Sequence, residues 1–265
     1  MAIHASITDG VARLVLDRPE KRNAFDDQTI ADISSVLSLW RHDESIRVLV
    51  ISANGETFCA GADLGWMKRT AQLDHQANLE DAQKLAIMMD LIDSFPVPVL
   101  TLVQGAAFGG ALGIICCSDI VLATEDAKFC LSEVRLGIVP AVISPYVIRA
   151  MGERQARRYM LTAERFDAGQ ALNFNLVHQL FSTQEEVVEA GKSLITTLSL
   201  NGPQAMRQCK QLIADVSGKP IDEPLMRHTS QFIADIRNTS EGQEGLAAFL
   251  EKRKPNWITA ESGHQ

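Results

Sequence analysis

Polar and apolar positions along this chain alternate between strand-like and helix-like periods. Residues Ala5–Leu16 read as two short strands around Asp9-Gly10, a hairpin turn signal. Ile30, Ile33, Val36, Leu37 and Trp40 then recur at helical spacing behind Asp26 or Asp27, either of which can cap a helix. Val48–Ser52 and Val99–Val103 are apolar runs of strand length, separated by a polar helical region from about Leu64 to Ser94. The run Ala111–Cys117 has no polar face, so it reads as a buried helix, or as a buried strand if short. Ile120–Ala123 and Leu176–Leu180 are further strands. Helices are expected at Pro145–Met151 and Glu153–Leu161, and another element opens at Phe166-Asp167-Ala168. From Glu185 onward the pattern is helical, broken at Asn201-Gly202-Pro203 and Gly218-Lys219-Pro220. This order predicts an α/β core over residues 1–200 and a helical region over residues 201–265.

Composition changes this picture little. The 265 residues are 46% hydrophobic and 22% charged, with a net charge of -8, as in an ordinary water-soluble globule. With no basic stripe to neutralise phosphates, nucleic acid is not an expected partner. No apolar run reaches membrane-spanning length, and the first residues lack the charged start and apolar core of a signal peptide. The five cysteines have no metal-type spacing, and Cys116-Cys117 lie inside a buried run; free thiols in a reducing cytoplasm are expected.

Chemistry concentrates at two turns that follow strands, each rich in small residues. One is Asn54–Asp63 and the other is Gly105-Ala106-Ala107-Phe108-Gly109-Gly110. A strand, a glycine turn and a buried helix start aim free backbone N–H groups into a cavity, a device that binds an anion or a developing oxyanion. Taken alone, Gly109-Gly110 would more often serve only the close packing of two elements.

The set of motifs decides more than any one of them. Phe58–Leu64, Gln104–Gly110 and Phe129–Glu133 followed by Gly137-Ile138-Val139-Pro140 each come after a strand. Arg18-Pro19-Glu20-Lys21-Arg22-Asn23-Ala24 stands near the start, and Phe249–Lys254 near the end. In order and spacing this set resembles the enoyl-CoA hydratase/isomerase (crotonase) superfamily over about Ala12 to Trp257. The resemblance implies a spiral core of ββα units and a C-terminal helical trimerisation region, hence a homotrimer or a hexamer built as a dimer of trimers. It implies an acyl-CoA substrate and no separate cofactor or metal. It makes the N–H groups of Ala62 and Gly110 an oxyanion hole for the thioester carbonyl. Lys21, Arg22 and Ala24 would embrace the adenosine and phosphates, Ala60, Asp63 and Leu64 the adenine and pantetheine, and Phe249 and Lys252 the nucleotide from the C-terminal end.

Hydratases of this superfamily use two glutamates. One maps onto Glu133; the other would stand three residues after Gly110, where this chain has Gly113. Four routes remain open there: Glu133 serving both proton steps, another group such as Ser144 or a distant carboxylate as base, a one-glutamate isomerase, or a bicarbonate-like anion seated at Gly113. The stretches Gly61–Lys68, Phe108–Gly113, Cys130–Arg135, Pro140–Pro145 and Thr162–Phe166 are similar to bacterial 3-methylglutaconyl-CoA and isohexenylglutaconyl-CoA hydratases, enzymes of leucine and acyclic terpene breakdown. Their substrates carry a free carboxylate, for which Lys68, Arg69 and Arg135 are candidate partners. The expected activity is hydration of such a branched 2-enoyl-CoA. The alternatives are an enoyl-CoA isomerase and, outside catalysis, an acyl-CoA- or RNA-binding relative.

Overall fold

The structure is a computed structural model that describes residues 2–258. In chain order the elements are β1 (Ile3–Thr8), β2 (Val11–Leu16), α1 (Asp27–Trp40), β3 (Val48–Ala53), α2 (Leu64–Thr70), α3 (His75–Asp93), β4 (Val99–Val103), β5 (Ala106–Phe108), α4 (Gly110–Cys117), β6 (Ile120–Thr124), β7 (Lys128–Cys130), α5 (Ser144–Thr162), β8 (Phe166–Asp167), α6 (Ala168–Asn173), β9 (Gln179–Phe181), α7 (Gln184–Ser199), α8 (Pro203–Val216), α9 (Glu223–Arg237) and α10 (Ser240–Leu250). Asp26, not Asp27, caps α1 by accepting from the Thr29 N–H.

A six-stranded sheet runs β1-β2-β3-β4-β6-β9, parallel except for the β1–β2 hairpin. Its pleat explains the residue pattern. On β3 and β4, Leu49, Ile51, Val99 and Val103 join the main core with Ile33, Leu37, Met88, Ile92 and Ile115 from α1, α3 and α4. The alternate positions Val48, Val50, Leu100 and Leu102 form a second core under α7, with Val187. Both faces are thus covered, which is why these strands carry no polar alternation.

Three features differ from the sequence pattern. The small-residue turn after β4 contains β5, and the segment before Glu133 contains β7; with β8 they make a second, three-stranded sheet. The polar region before β4 is split into α2 and α3. The two helices expected around Gly152 are joined as α5, bent where Gly152 adopts φ 77°. The C-terminal helices are amphipathic, yet α8 and α9 bury no residue within the chain. Ile213, Ile221, Met226, Ile233, Phe249 and Leu250 are all exposed. No helix of the described residues is long and apolar enough to cross a membrane.

Candidate active site

The site lies where the loop before α1, the loop after β3 and the turn before α4 are stitched together. Asn23 ties the first two. Its buried amide donates to the carbonyls of Asn54 (2.9 Å) and Thr57 (2.8 Å), while its oxygen accepts from the Arg18 N–H (2.8 Å). Gln104 ties the third by donating to the carbonyls of Ala53 (2.7 Å) and Gly55 (2.9 Å). The Ala60 N–H donates to Arg22 O, the Phe25 N–H to Gly61 O (2.8 Å), and the Asp63 N–H to Phe25 O (2.6 Å). Ala62 therefore sits opposite Phe25 in a parallel bridge. In that pattern the bonds run through the residues on either side, so Ala62's own N–H faces away from Phe25.

The second amide comes from α4. Gly110 is its first residue, so its N–H has no acceptor inside the helix. Among the described residues neither Ala62 nor Gly110 donates its N–H to a protein acceptor. The two backbones approach closely. A Cβ built on Gly61 would lie 3.2 Å from the Phe108 carbonyl oxygen, and one on Gly109 would lie 3.9 Å from the Gly61 Cα. Gly109 holds φ 56° and ψ -124°, a conformation that costs a side-chain-bearing residue dearly. The Gly109 N–H donates to Cys130 O (2.9 Å), which brings β7 and the residues after it to this point.

Glu133 follows β7 and opens a short 3-10 turn, Glu133–Leu136. Its Oε1 lies 3.4 Å from where a Gly109 Cβ would stand, beside the two amides. Its Oε2 is buried and has no hydrogen-bond partner. Burial raises its pKa above the ordinary 4.5, offset in part by its own backbone N–H. An orphan carboxyl in an apolar setting is poised to exchange protons with something not part of the fold. The Cys59 thiol nearby is pushed up to about 12 by burial, so it packs as a neutral group and is no nucleophile.

Around this centre the other expected residues divide. Ala60 and the buried Ala24 line the stitched loops, while Lys21, Arg22 and Leu64 are exposed at their rim. Asp63 caps α2 through the Gly65 (2.8 Å) and Trp66 (3.2 Å) N–H groups and faces Arg18 (3.5 Å) and Lys21 (3.6 Å). Burial opposes its charge, but those N–H donors and the two cations outweigh it, and its pKa is lowered. Asp63 is thus already engaged in holding the loop. Arg18, which the motif contains but which sequence reasoning did not single out, is the hub: it also pairs with Asp26 at 2.5 Å. Phe249 and Lys252 are not brought to these loops. The helix α10 packs on α8 and α9, and no hydrogen bond or ion pair among the described residues ties either residue to 18–25.

The expectations for Gly113 need correction. A Cβ there would stand 2.5 Å from Ile143 Cγ2 and 2.7 Å from Met89 Cε. The space is filled by side chains, so there is no seat for a bicarbonate-like anion. Ser144 does not replace the missing carboxylate either: its hydroxyl donates to Ala141 O at 2.8 Å in an exposed position. Of the three cations considered for a substrate carboxylate, Arg69 pairs with Asp27 (2.5 Å) and Arg135 donates to Ala163 O (2.6 Å). Lys68, exposed on the last turn of α2, makes no ion pair among the described residues.

Two backbone donors and one unpaired carboxyl are the parts needed to stabilise a thioester enolate and move a proton at its α-carbon. A family model described as enoyl-CoA hydratase/isomerase matches residues 6–260. The chain belongs to that family. An enoyl-CoA hydratase of Shewanella pealeana is 51% identical over 97% of this chain and 96% of its own, with a TM-score of 0.94. Pseudomonas aeruginosa AtuE is 33% identical over 98% and 100%, with a TM-score of 0.93. The 2,3-dehydroadipyl-CoA hydratase of Escherichia coli is 31% identical over 93% and 94%. These relatives carry the crotonase fold and enoyl-CoA hydratase-type activity across to this chain, a hydro-lyase acting on acyl-CoA.

Proposed function

We propose that the enzyme hydrates a branched 2-enoyl-CoA bearing a free carboxylate, of the 3-methylglutaconyl-CoA or isohexenylglutaconyl-CoA kind. The observation that carries the chemistry is the orphan Glu133 Oε2 beside two uncommitted amides. The thioester carbonyl accepts from the Ala62 and Gly110 N–H groups. As water adds to the β-carbon, charge develops on that oxygen and the two donors strengthen; one such donor is worth roughly 3–4 kcal/mol. Glu133 transfers the proton at the α-carbon. Lys21 and Arg22, exposed beside Ala24 and Ala60, suit the phosphates and adenosine of CoA, with Leu64 against the pantetheine. Lys68 suits the distal carboxylate. A relative offers a precedent for a diacid-type acyl group: 2,3-dehydroadipyl-CoA, by its name, carries a carboxylate at its far end.

The exposed apolar face of α8–α10 supports assembly as a homotrimer or a dimer of trimers, in which Phe249 and Lys252 of one copy would reach a site on another. An isomerase that shifts a 3-enoyl to a 2-enoyl double bond is the second candidate, favoured by the lack of a carboxylate at Gly113. A panel of 3-methylglutaconyl-CoA, isohexenylglutaconyl-CoA, crotonyl-CoA and a 3-enoyl-CoA separates them by loss or gain of the conjugated thioester absorbance. Turnover of a glutaconyl substrate supports hydration; turnover of the 3-enoyl substrate alone would sink it.

A further inference from the structure

We infer that Met89 and Ile143 plug the place where a second acid–base carboxylate would stand, and so make Glu133 the sole proton-carrying group of this active site. The inference rests on the hydratase activity proposed above and concerns how few groups carry it out.

Gly110 and Gly113 are three residues apart on α4, so they share one face of that helix. A side chain at 113 would therefore lean back along that face toward the start of α4, where the Gly110 N–H emerges. That place is closed from two directions. Met89, on α3, is fully buried and would put its Cε and Sδ at 2.7 and 2.8 Å from a Cβ on Gly113. Ile143, which precedes α5, would put Cγ2 at 2.5 Å and is 2% exposed. Real Cβ contacts essentially never fall below 3.0 Å, so something must shift: the Met89 thioether is the flexible end of its side chain, whereas Ile143 Cγ2 branches at Cβ on a stiff, buried side chain and resists. Glycine at 113 is thus the condition for α3, α4 and α5 to meet.

No other group fills the gap. Buried side-chain atoms without partners among the described residues are Arg47 Nε, Thr124 Oγ1 and Glu133 Oε2, and the last alone adjoins Gly109. The charged groups that act with Glu133 on the neighbouring Cys130 thiol are Arg135 on its own segment and Arg165 before β8. The Cys130 thiol donates to Ala163 O, Arg135 donates to the same carbonyl, and Arg165 lies over the Phe108 ring. None of the three is a carboxylate.

The proton balance closes with one group. Glu133 as carboxylate takes a proton from water while the water oxygen bonds to the β-carbon and the alkene pair moves onto the thioester oxygen. The enolate then collapses as the same carboxyl gives a proton to the α-carbon, which restores the carboxylate. Such a cycle needs Glu133 ionised at the start, so the rate rises with pH through one ionisation and shows no second carboxyl limb.

The test combines stability and kinetics. Gly113→Glu alone is expected to lose roughly 5–10 °C of melting midpoint. In a Met89→Ala/Ile143→Ala background the same Gly113→Glu change should cost less melting midpoint than it does in wild type, because the clashing atoms are gone. In wild type, kcat against pH on the best panel substrate should show a single rising limb, and Glu133→Gln should lower kcat by at least roughly 10²-fold. A Gly113→Glu variant that melts like wild type overturns the plug whatever the activity. A bell-shaped profile in the acid range, or substantial turnover by Glu133→Gln, overturns the single-carboxylate cycle while leaving hydration intact. Failure of wild type to hydrate any panel member removes the proposed function instead, and with it the cycle, while the melting data still judge the plug.

Discussion

Gly109→Ala is the sharpest probe of the oxyanion hole, because it alters neither donor. The peptide that carries the Gly110 N–H is the one joining residues 109 and 110, and its direction is set by ψ at Gly109, -124°. With φ at 56° and that ψ, an alanine is held in a region essentially reserved for glycine, at a cost of about 1–3 kcal/mol. The new methyl would also lie 3.4 Å from Glu133 Oε1, just at ordinary contact, so the backbone conformation carries the cost. The chain relieves this by rotating the 109–110 peptide, which swings the Gly110 N–H off the thioester oxygen and pushes on the carboxyl. Loss of one such donor costs on the order of 10²–10³ in kcat, and that is the fall expected. Gly110→Ala is the control. Its Cβ would meet only Phe25 ring carbons, at 3.6 and 3.8 Å, in ordinary contact, and its φ is not positive. It keeps its N–H and should retain kcat within roughly tenfold while stabilising α4 by up to about 1 kcal/mol. The assay is kcat on the best enoyl-CoA of the panel together with thermal melting of both variants. Wild-type kcat for Gly109→Ala, or an equal collapse of Gly110→Ala, would refute the placement of the hole.

Other variants test the parts around it. Glu133 has a raised pKa, so its charge is unfavourable in the fold, and native stability falls as pH rises from 4.5 through the raised value; Glu133→Gln should melt above wild type at pH 8, with the gap closing toward pH 4.5. Asn23→Ala strands the carbonyls of Asn54 and Thr57, and should lower stability by about 1–3 kcal/mol in urea melts and raise KM for the thioester, since the loops bearing Arg22 and Ala60 come apart. Arg18→Met leaves Asp26 and Asp63 without their shared cation. Both carboxyls are held below their ordinary 3.8, so wild type has this stabilisation above that pH and loses it as pH falls through the lowered values; the variant should show a shallower acid loss below pH 4 by circular dichroism. Phe249→Glu with Leu250→Glu should lower the assembly mass by light scattering, since both side chains are exposed on the face assigned to the assembly interface.

How much of this was legible in the sequence depends on distance along the chain. The β3 and β4 strands were readable because each is buried on both faces and so carries an unbroken apolar run. The elements β5 and β7 were not, because three residues of small or mixed character give no period to detect, and their pairing is what defines them. Ala62, Gly110 and Glu133 are singled out by motifs that follow strands, and the structure brings their segments together through Gly61, Gly109 and Cys130. Arg18 and Asn23 stood in a quoted motif, but their roles lie in partners beyond it, Asp63 and Thr57. The only sequence signal was a cation and an amide in a loop, which more often face solvent.

The Gly113 region shows the same limit in its strongest form. From sequence, glycine in place of a glutamate reads as a vacancy, and a vacancy invites a ligand. In three dimensions, Met89 from α3 and Ile143 from just before α5 enter from either side of α4 in the sequence and fill the space at Gly113. Local spacing cannot report this, since neither residue is near Gly113 along the chain. The consequence is chemical. Removing a carboxylate without filling its place would leave a wet, polar pocket open to another base, whereas filling it with a thioether and an aliphatic chain dries that side of the site. The one orphan carboxyl beside Gly109 is then Glu133, whose burial holds its pKa above the ordinary 4.5 and readies it for proton exchange with a bound substrate.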